Sequence, residues 1–323
     1  MSEEPTPQAA PRMQMGPEAP EVQQKDVAEA WYTRACDLVT EAIVCASVER
    51  PFDLTPAWEL MTTVLDTPGA LDTFYRLACS CTDKAGQFSV HSVNVAIYAM
   101  KIGLGLQYDR EALLRVGVLG LVHDIGQARL PADLLAKQGT LTAEEWRLVR
   151  EHPRDSASIL RQWGEAYAWM ADIVIQEHER EGGQGYPEGL RGEKIHEYAK
   201  VIGLADVYEA LTHARSYWKG FTPFEAVKEI IVSQKDFFPM SILRSMVGQF
   251  SVFPLQSYVL LNSKAIGQVV ATHEAAPLRP VVRLLYYSQR KPVQGEKLVD
   301  LRGNQLLYIT DTLSAEAMAA YAS

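Results

Sequence analysis

Ionisable side chains stand inside two segments that otherwise look buried. Residues 113–125 are largely Val, Leu and Gly and contain the adjacent pair His123-Asp124, and residues 201–211 are mostly apolar around Asp206. A buried carboxylate costs several kcal/mol unless it is paired with a cation or bound to a metal ion. We therefore expect positive groups beside Asp124 and Asp206.

Three scattered histidines are candidate partners for these carboxylates: His91, His152 and His178. Imidazole nitrogens and carboxylate oxygens in one pocket are suitable ligands for iron, manganese or zinc, and a carboxylate can bridge two such ions. For any single histidine, a ring satisfied by a backbone carbonyl is the commoner alternative. The adjacent His-Asp pair is stronger evidence than any single histidine, and a dinuclear site is the simplest interpretation of the whole set.

A glycine-rich loop follows the last of these histidines, over residues 179–190. Its glycines permit a close approach of the backbone to a ligand, and Tyr186-Pro187 fixes a turn. The loop therefore belongs beside the predicted site.

These separated motifs together resemble the HD-GYP family over residues 85–250. In chain order they are His123-Asp124-Ile125-Gly126 with Leu130-Pro131, His152-Pro153, His178-Glu179, Gly185-Tyr186-Pro187, Ala205-Asp206-Val207 and Ala210-Leu211-Thr212. The segment Pro277-Leu278-Arg279-Pro280-Val281-Val282 also looks like one often found after HD-GYP domains. The resemblance implies an HD-type helical bundle and hydrolysis of cyclic di-GMP to linear pGpG, in some relatives onward to GMP.

The resemblance also implies roles for individual residues. Arg215 matches a position that contacts the substrate phosphate or base, and a solvated surface arginine is the alternative. The substrate is also expected to contact Gly185, Tyr186, Pro187 and Gln127, with Asp124, Gln127 and Arg215 serving catalysis. The implied metal ligands, with Asp124 as the bridging carboxylate, are His91, His123, Asp124, His152, His178 and Asp206.

We expect two divalent cations, iron or manganese in the first place, with zinc, nickel or magnesium as alternatives. The mechanism implied is attack on a phosphorus of the cyclic dinucleotide by a water that the two cations activate.

The sequence departs from the family pattern at several positions. Where the family usually has a lysine after His-Asp-x-Gly, this chain has Gln127, which has no charge. Where the family has the first of two paired histidines, this chain has Glu177, which is either a carboxylate ligand or a side chain in solvent. Gln87 replaces a glutamate that holds a third metal in some relatives, which favours two ions. Gly182 and Trp218 replace an aspartate and a basic residue. A slow enzyme is therefore expected. The alternative is a weak or inactive module that binds cyclic di-GMP or a GGDEF partner.

The elements that must position these residues are mainly helical. We predict a disordered tail over residues 1–25, a helical N-terminal region of two or three short helices over 26–80, the HD-GYP domain over 81–250 and a β-rich subdomain over 251–323. Capping boxes mark helix starts at Thr142 and Thr222. Short β-prone runs at 257–261, 266–272, 281–287 and 306–310 suggest four or five strands in a small barrel-like unit.

The net charge and the lengths of the apolar runs restrict the location and the partners of the protein. A net charge of −9 excludes binding to long nucleic acids by the surface as a whole, so a phosphate-bearing substrate needs local cations. No apolar run approaches the roughly 18 to 20 residues of a spanning helix, and no signal peptide is visible. We predict a cytoplasmic protein without membrane insertion. Its expected partners are cyclic di-GMP and a GGDEF-domain protein at the Gly-Tyr-Pro loop, and a homodimer is compatible with the sequence.

Overall fold

The fold changes from helices to strands near residue 255, as the sequence predicts. The structure is a computed structural model that describes residues 18–80, 87–137, 139–213, 220–250, 252–273, 276–288, 291–314 and 317–318. Twelve helices precede a five-stranded sheet in these residues. The mainly α fold class is confirmed.

Three helices form the N-terminal region, α1 (Glu18–Ser47), α2 (Thr55–Asp66) and α3 (Ala70–Ser80). The first is 30 residues long, so the expectation of short helices fails there. Helix α1 also begins inside the range assigned to the predicted tail, whose residues 1–17 lie outside the described part. Buried side chains of α1 pack against α4, which makes the N-terminal region part of the main hydrophobic core.

Nine of the described helices form the central bundle. Its elements are α4 (Gln87–Gly105), α5 (Arg110–Val122), α6 (Ala132–Leu135), α7 (Ala143–Val149), α8 (His152–Trp163), α9 (Ala168–Val174), α10 (Glu197–Thr212), α11 (Pro223–Ser233) and α12 (Met240–Gln249). The capping boxes at Thr142 and Thr222 are both present. Helices α4, α5 and α10 pack together, which brings residues distant in sequence to one place.

The C-terminal strands form one antiparallel sheet in the order β4-β3-β2-β1-β5. The strands are β1 (Tyr258–Leu261), β2 (Ile266–Ala271), β3 (Val281–Tyr286), β4 (Leu298–Asp300) and β5 (Ile309–Leu313). Strand β4 was not predicted, and the predicted run 306–310 overlaps only the start of β5. Within the described residues β4 and β5 do not pair, so the sheet is open, and "barrel-like" describes it only loosely.

Among the residues that the structure describes, no helix combines the length and the hydropathy that a membrane crossing requires.

Candidate metal centre

The predicted ligands come from five separate places in the bundle. His91 lies in the first turns of α4, His123 caps the end of α5 and is followed by Asp124, and His152 is the first residue of α8. The remaining ligands, Glu177, His178 and Asp206, lie after α9 and in the middle of α10. The fold brings all seven side chains together, so the predicted ligand set converges.

The seven side chains form two groups, each with ligand atoms within 4.8 Å of one another. The first group is Asp124, His152, Glu177 and His178, and the second is His91, His123 and Asp206. Asp124 connects them. Its Oδ1 lies 2.9 Å from His152 Nε2, and its Oδ2 lies 3.5 Å from His91 Nε2 and 3.6 Å from His123 Nε2. One carboxylate thus directs one oxygen at each group.

Hydrogen bonds on the far side of two imidazole rings set which nitrogen faces the centre. His123 Nδ1 lies 2.8 Å from the Gly120 carbonyl oxygen, and His152 Nδ1 lies 2.6 Å from that of Val149. Because a carbonyl oxygen only accepts, each Nδ1 carries a hydrogen. Nε2 of each ring therefore faces the two groups, which is the orientation a metal ligand needs.

When the imidazoles are neutral, some buried polar atoms in this cluster have no hydrogen-bond partner within the described ranges. They are His123 Nε2, Asp124 Oδ1 and both carboxylate oxygens of Glu177. Buried polar groups are ordinarily satisfied, and here neutral imidazoles would turn lone pairs toward carboxylate oxygens. The donor set therefore fits divalent cations, which imidazole and carboxylate ligands bind well.

In the metal-free chain, protons on the histidines can supply part of the positive charge that these carboxylates need. Burial alone would lower the pKa of His152, but Asp124 and Glu177 raise it to about 11. Burial would raise the pKa of Asp124, yet the neighbouring His123 and His152 hold it well below its usual range. The centre accordingly consists of ionised carboxylates that attract cations, whether protons or metal ions.

The turn after Asp124 fixes the position of α8. A Cβ atom at Gly126 would lie 2.1 Å from the His152 carbonyl oxygen, so only glycine fits there. The Gly126 N–H donates to Ser156 Oγ at 2.8 Å. Gln127, for which a substrate contact is predicted, donates from Nε2 to Asp124 Oδ2 at 2.5 Å. Its side chain therefore reaches the centre but contacts the bridging carboxylate.

The glycine-rich loop packs against His178, one of the candidate ligands. The Glu179 carboxylate accepts the N–H groups of residues 188, 189 and 190 at 2.6, 3.0 and 2.9 Å, which closes the loop. The Tyr186 ring then stacks on His178 at a centroid distance of 4.7 Å. The Arg150 guanidinium also lies over the Tyr186 ring, 5.0 Å from its centroid.

Gly185 was expected to allow close approach to a ligand. A Cβ atom there would lie 2.4 Å from Glu179 Cα and 2.4 Å from the His178 carbonyl oxygen. Glycine is thus required for contact within the loop's own backbone. The substrate contacts expected of Gly185, Tyr186 and Pro187 stay predictions. Arg215 and Trp218 lie outside the described residues.

One residue of the site was missed by the sequence reasoning. Glu209, three residues beyond Asp206 on α10, is only 3% exposed, and its Oε2 lies 2.6 Å from His91 Nδ1. Burial would raise the pKa of Glu209, but His91 and its other neighbours lower it to about 2. The available signal was a second carboxylate in the same apolar segment, one helical turn from a predicted ligand.

Comparison with known proteins identifies the family of this chain. The model of the HD domain family matches residues 76–241, just over half of the 323-residue chain. That of a KOW domain associated with HD domain matches residues 258–321, the part that contains the sheet. The chain belongs to the HD domain family, and the resemblance found in its motifs is confirmed.

The chain is also similar to several curated proteins named as cyclic dinucleotide phosphodiesterases. A cyclic di-GMP phosphodiesterase from Pseudomonas aeruginosa is 33% identical over 262 residues, covering 80% of this chain and 62% of the relative. Cyclic di-GMP phosphodiesterase PdeB from Borreliella burgdorferi is 26% identical over 196 residues, covering 61% of this chain and 52% of the relative. The 3′3′-cGAMP-specific phosphodiesterase 1 of Vibrio cholerae is 34% identical over 143 residues, covering 44% of this chain and 33% of the relative. The chain spans less than two thirds of the length of these relatives.

Proposed function

We propose that this protein is a metal-dependent phosphodiesterase that hydrolyses cyclic di-GMP to linear pGpG at a dinuclear site. The observation that carries the proposal is the position of Asp124, whose two oxygens face separate groups of imidazole and carboxylate ligands. A bridging carboxylate is the arrangement that two neighbouring cations need. Onward hydrolysis to GMP is a further expectation.

One ion would be held by His91, His123 and Asp206 and the other by His152, Glu177 and His178, with Asp124 shared between them. When bound, divalent cations supply charge stabilisation at phosphodiester oxygens and activate water for attack. Glu177, buried and within 2.8 Å of His178 Nε2, is better placed as a ligand than as a solvent-facing group. Its hard oxygen donors favour manganese or iron over zinc.

The surrounding side chains hold the ligands in place. Tyr186 restrains the His178 ring by stacking, and the Glu179 carboxylate restrains the loop that carries Tyr186. The exposed guanidinium of Arg150 brings positive charge to this loop. Because the chain has a net charge of −9, such a local cation would help an anionic dinucleotide approach.

The substrate class is inferred from the relatives, two of which are named for cyclic di-GMP and one for 3′3′-cGAMP. All three names describe cyclic dinucleotide phosphodiesterases. A GGDEF-domain partner at the Gly-Tyr-Pro loop, a homodimer and a cytoplasmic location remain predictions.

A second candidate is a module that binds the dinucleotide without turnover. Gln127 favours it, because its amide donates to Asp124 Oδ2, an oxygen that a bridged pair of ions requires, and brings no charge to a phosphate. Losing one charge-stabilising donor costs about 2.7 to 4 kcal/mol in a comparable oxyanion site.

The two candidates are separated by metal analysis of anaerobically purified protein, followed by chromatography of cyclic di-GMP incubated with the manganese- or iron-loaded chain. The enzyme should form pGpG, and Asp124→Ala should abolish the product. Parallel incubations with 3′3′-cGAMP distinguish the substrate. Tight binding of cyclic di-GMP with no product over hours, at full metal occupancy, would establish the binding module and refute the enzyme.

A further inference from the structure

We infer that Glu209, Asn94 and Tyr32 are positioning residues that hold the His91 imidazole for metal binding and connect the N-terminal helix α1 to the centre. This inference rests on the proposed metal site. It assigns functions to three buried side chains, one of them in a region whose sequence alone indicated none.

The first link joins α10 to α4. Glu209 Oε2 lies 2.6 Å from His91 Nδ1, while His91 Nε2 points the other way, 3.4 Å from Asp206 Oδ1. His91 therefore binds a carboxylate on its rear nitrogen and faces the centre with its front nitrogen. A carboxylate behind a ligating histidine fixes the ring orientation and tautomer and makes the ligand more basic.

The spacing along α10 and α4 explains how Asp206 and Glu209 reach opposite sides of the His91 ring. Asp206 and Glu209 are three residues apart on α10 and so share a face, as do His91 and Asn94 on α4. The two helices pack against each other. Asp206 consequently meets the front of His91 and Glu209 meets its rear.

The second link joins Glu209 to α1 through Asn94. Asn94 Nδ2 donates to Glu209 Oε1 at 3.3 Å and also lies 3.1 Å from His213 Nε2, and Tyr32 Oη donates to Asn94 Oδ1 at 2.7 Å. Asn94 is fully buried and Tyr32 is 8% exposed. The amide thus uses both ends, one toward the carboxylate and one toward the N-terminal helix.

Other contacts of Glu209 do not replace the one to His91. His213 Nδ1 lies 3.2 Å from Oε1, the same oxygen that accepts from Asn94, so these residues hold one side of the carboxylate. Oε2 remains for His91. A merely structural role for Glu209 would affect folding, whereas a positioning role must change the affinity for one particular ion.

The experiment measures Mn²⁺ binding to the full chain by chelator competition, with electron paramagnetic resonance to separate single ions from coupled pairs. Glu209→Gln keeps the shape of the side chain but removes its charge, and should weaken one of the two ions about 10- to 100-fold. At limiting Mn²⁺ the variant should hold a single ion with an uncoupled signal. Tyr32→Phe removes one hydrogen bond and should weaken the same ion about 2- to 10-fold.

Matched controls come from another tyrosine–glutamate pair. Glu197, on the first turn of the same helix, accepts a hydrogen bond from the Tyr108 hydroxyl, far along the helix from Asp206. Glu197→Gln and Tyr108→Phe should leave both Mn²⁺ affinities at the wild-type value. Thermal unfolding of the metal-free variants detects any general loss of stability.

The outcomes distinguish this inference from the proposed function. Two ions in the wild-type chain and unchanged affinities in both Glu209→Gln and Tyr32→Phe would overturn the inference and leave the metal site standing. Equal weakening of both ions, or equal effects in the controls, would also overturn it. A wild-type chain that binds no Mn²⁺, iron or zinc would instead refute the proposed function.

Discussion

Replacing the shared carboxylate with its amide, Asp124→Asn, tests the two-ion geometry directly. Asparagine has the same shape but offers one oxygen instead of two, and its NH2 group cannot bind a cation. Because Asp124 Oδ1 faces His152 and Oδ2 faces His91, the variant can supply an oxygen to only one group. We expect it to retain at most one ion.

The size of the effect follows from ligand linkage. An ion that binds only the folded chain adds about 2.7 kcal/mol at a free concentration of 100 times Kd, so two independent ions add about 5 kcal/mol. In a chain of this size, 1 kcal/mol shifts Tm by roughly 2 °C. Metal should therefore raise Tm by about 10 °C in the wild type and by no more than about 5 °C in the variant.

The assay is thermal unfolding with and without saturating Mn²⁺, together with metal stoichiometry by elemental analysis. Each protein is compared with its own metal-free form, because the neutral amide also changes the charge balance with His152. Asp172→Asn is the control, since Asp172 is an exposed carboxylate paired with Arg161. If Asp124→Asn binds two ions and shows the wild-type shift in Tm, Asp124 is not the bridging ligand.

Two other predictions concern charge at the centre. Gln127→Lys should raise kcat, by up to about 10²- to 10³-fold if the ammonium replaces a lost charge-stabilising donor. The uncharged control Gln127→Met should not raise kcat. If kcat of the lysine variant equals that of the wild type, the side chain at position 127 does not contact the phosphate. Mn²⁺ affinity should also increase with pH. Burial lowers the pKa of His152, but Asp124 and Glu177 raise it by more, to about 11. Below that pH the His152 imidazole is protonated in the metal-free chain, so a proton must leave before the ion binds. The expected slope is about tenfold per pH unit for each proton displaced, measured by titrations between about pH 6 and 9. A flat profile would mean that no ligand imidazole is protonated in the metal-free chain.

The sequence by itself indicated the candidate ligands and a mainly helical fold. Asp124 and Asp206 were identifiable because a lone carboxylate in an apolar segment requires a cation, and this holds in any fold. Helix starts at Thr142 and Thr222 were predictable because a capping box is complete within four residues. Such signals are local, so a single sequence contains them.

Strand β4 could not be predicted for the opposite reason. It has three residues, too few for an alternating pattern, and it is defined by pairing of Val282 with Val299 on the neighbouring strand. Helix α1 is likewise longer than its local sequence predicts, and it packs against α4. Neither fact is present in the local sequence.

Tertiary structure alone decided which atom of each side chain serves which purpose. The sequence indicated that His91 was a ligand, but only the packing of α10 on α4 brings Glu209, 118 residues away, to its rear nitrogen. The same holds for Gln127, whose amide binds Asp124, and for the two oxygens of Asp124. The residue types determine which metal ligands are available, and hydrogen bonds between residues far apart in sequence determine which atom of each ligand faces the centre.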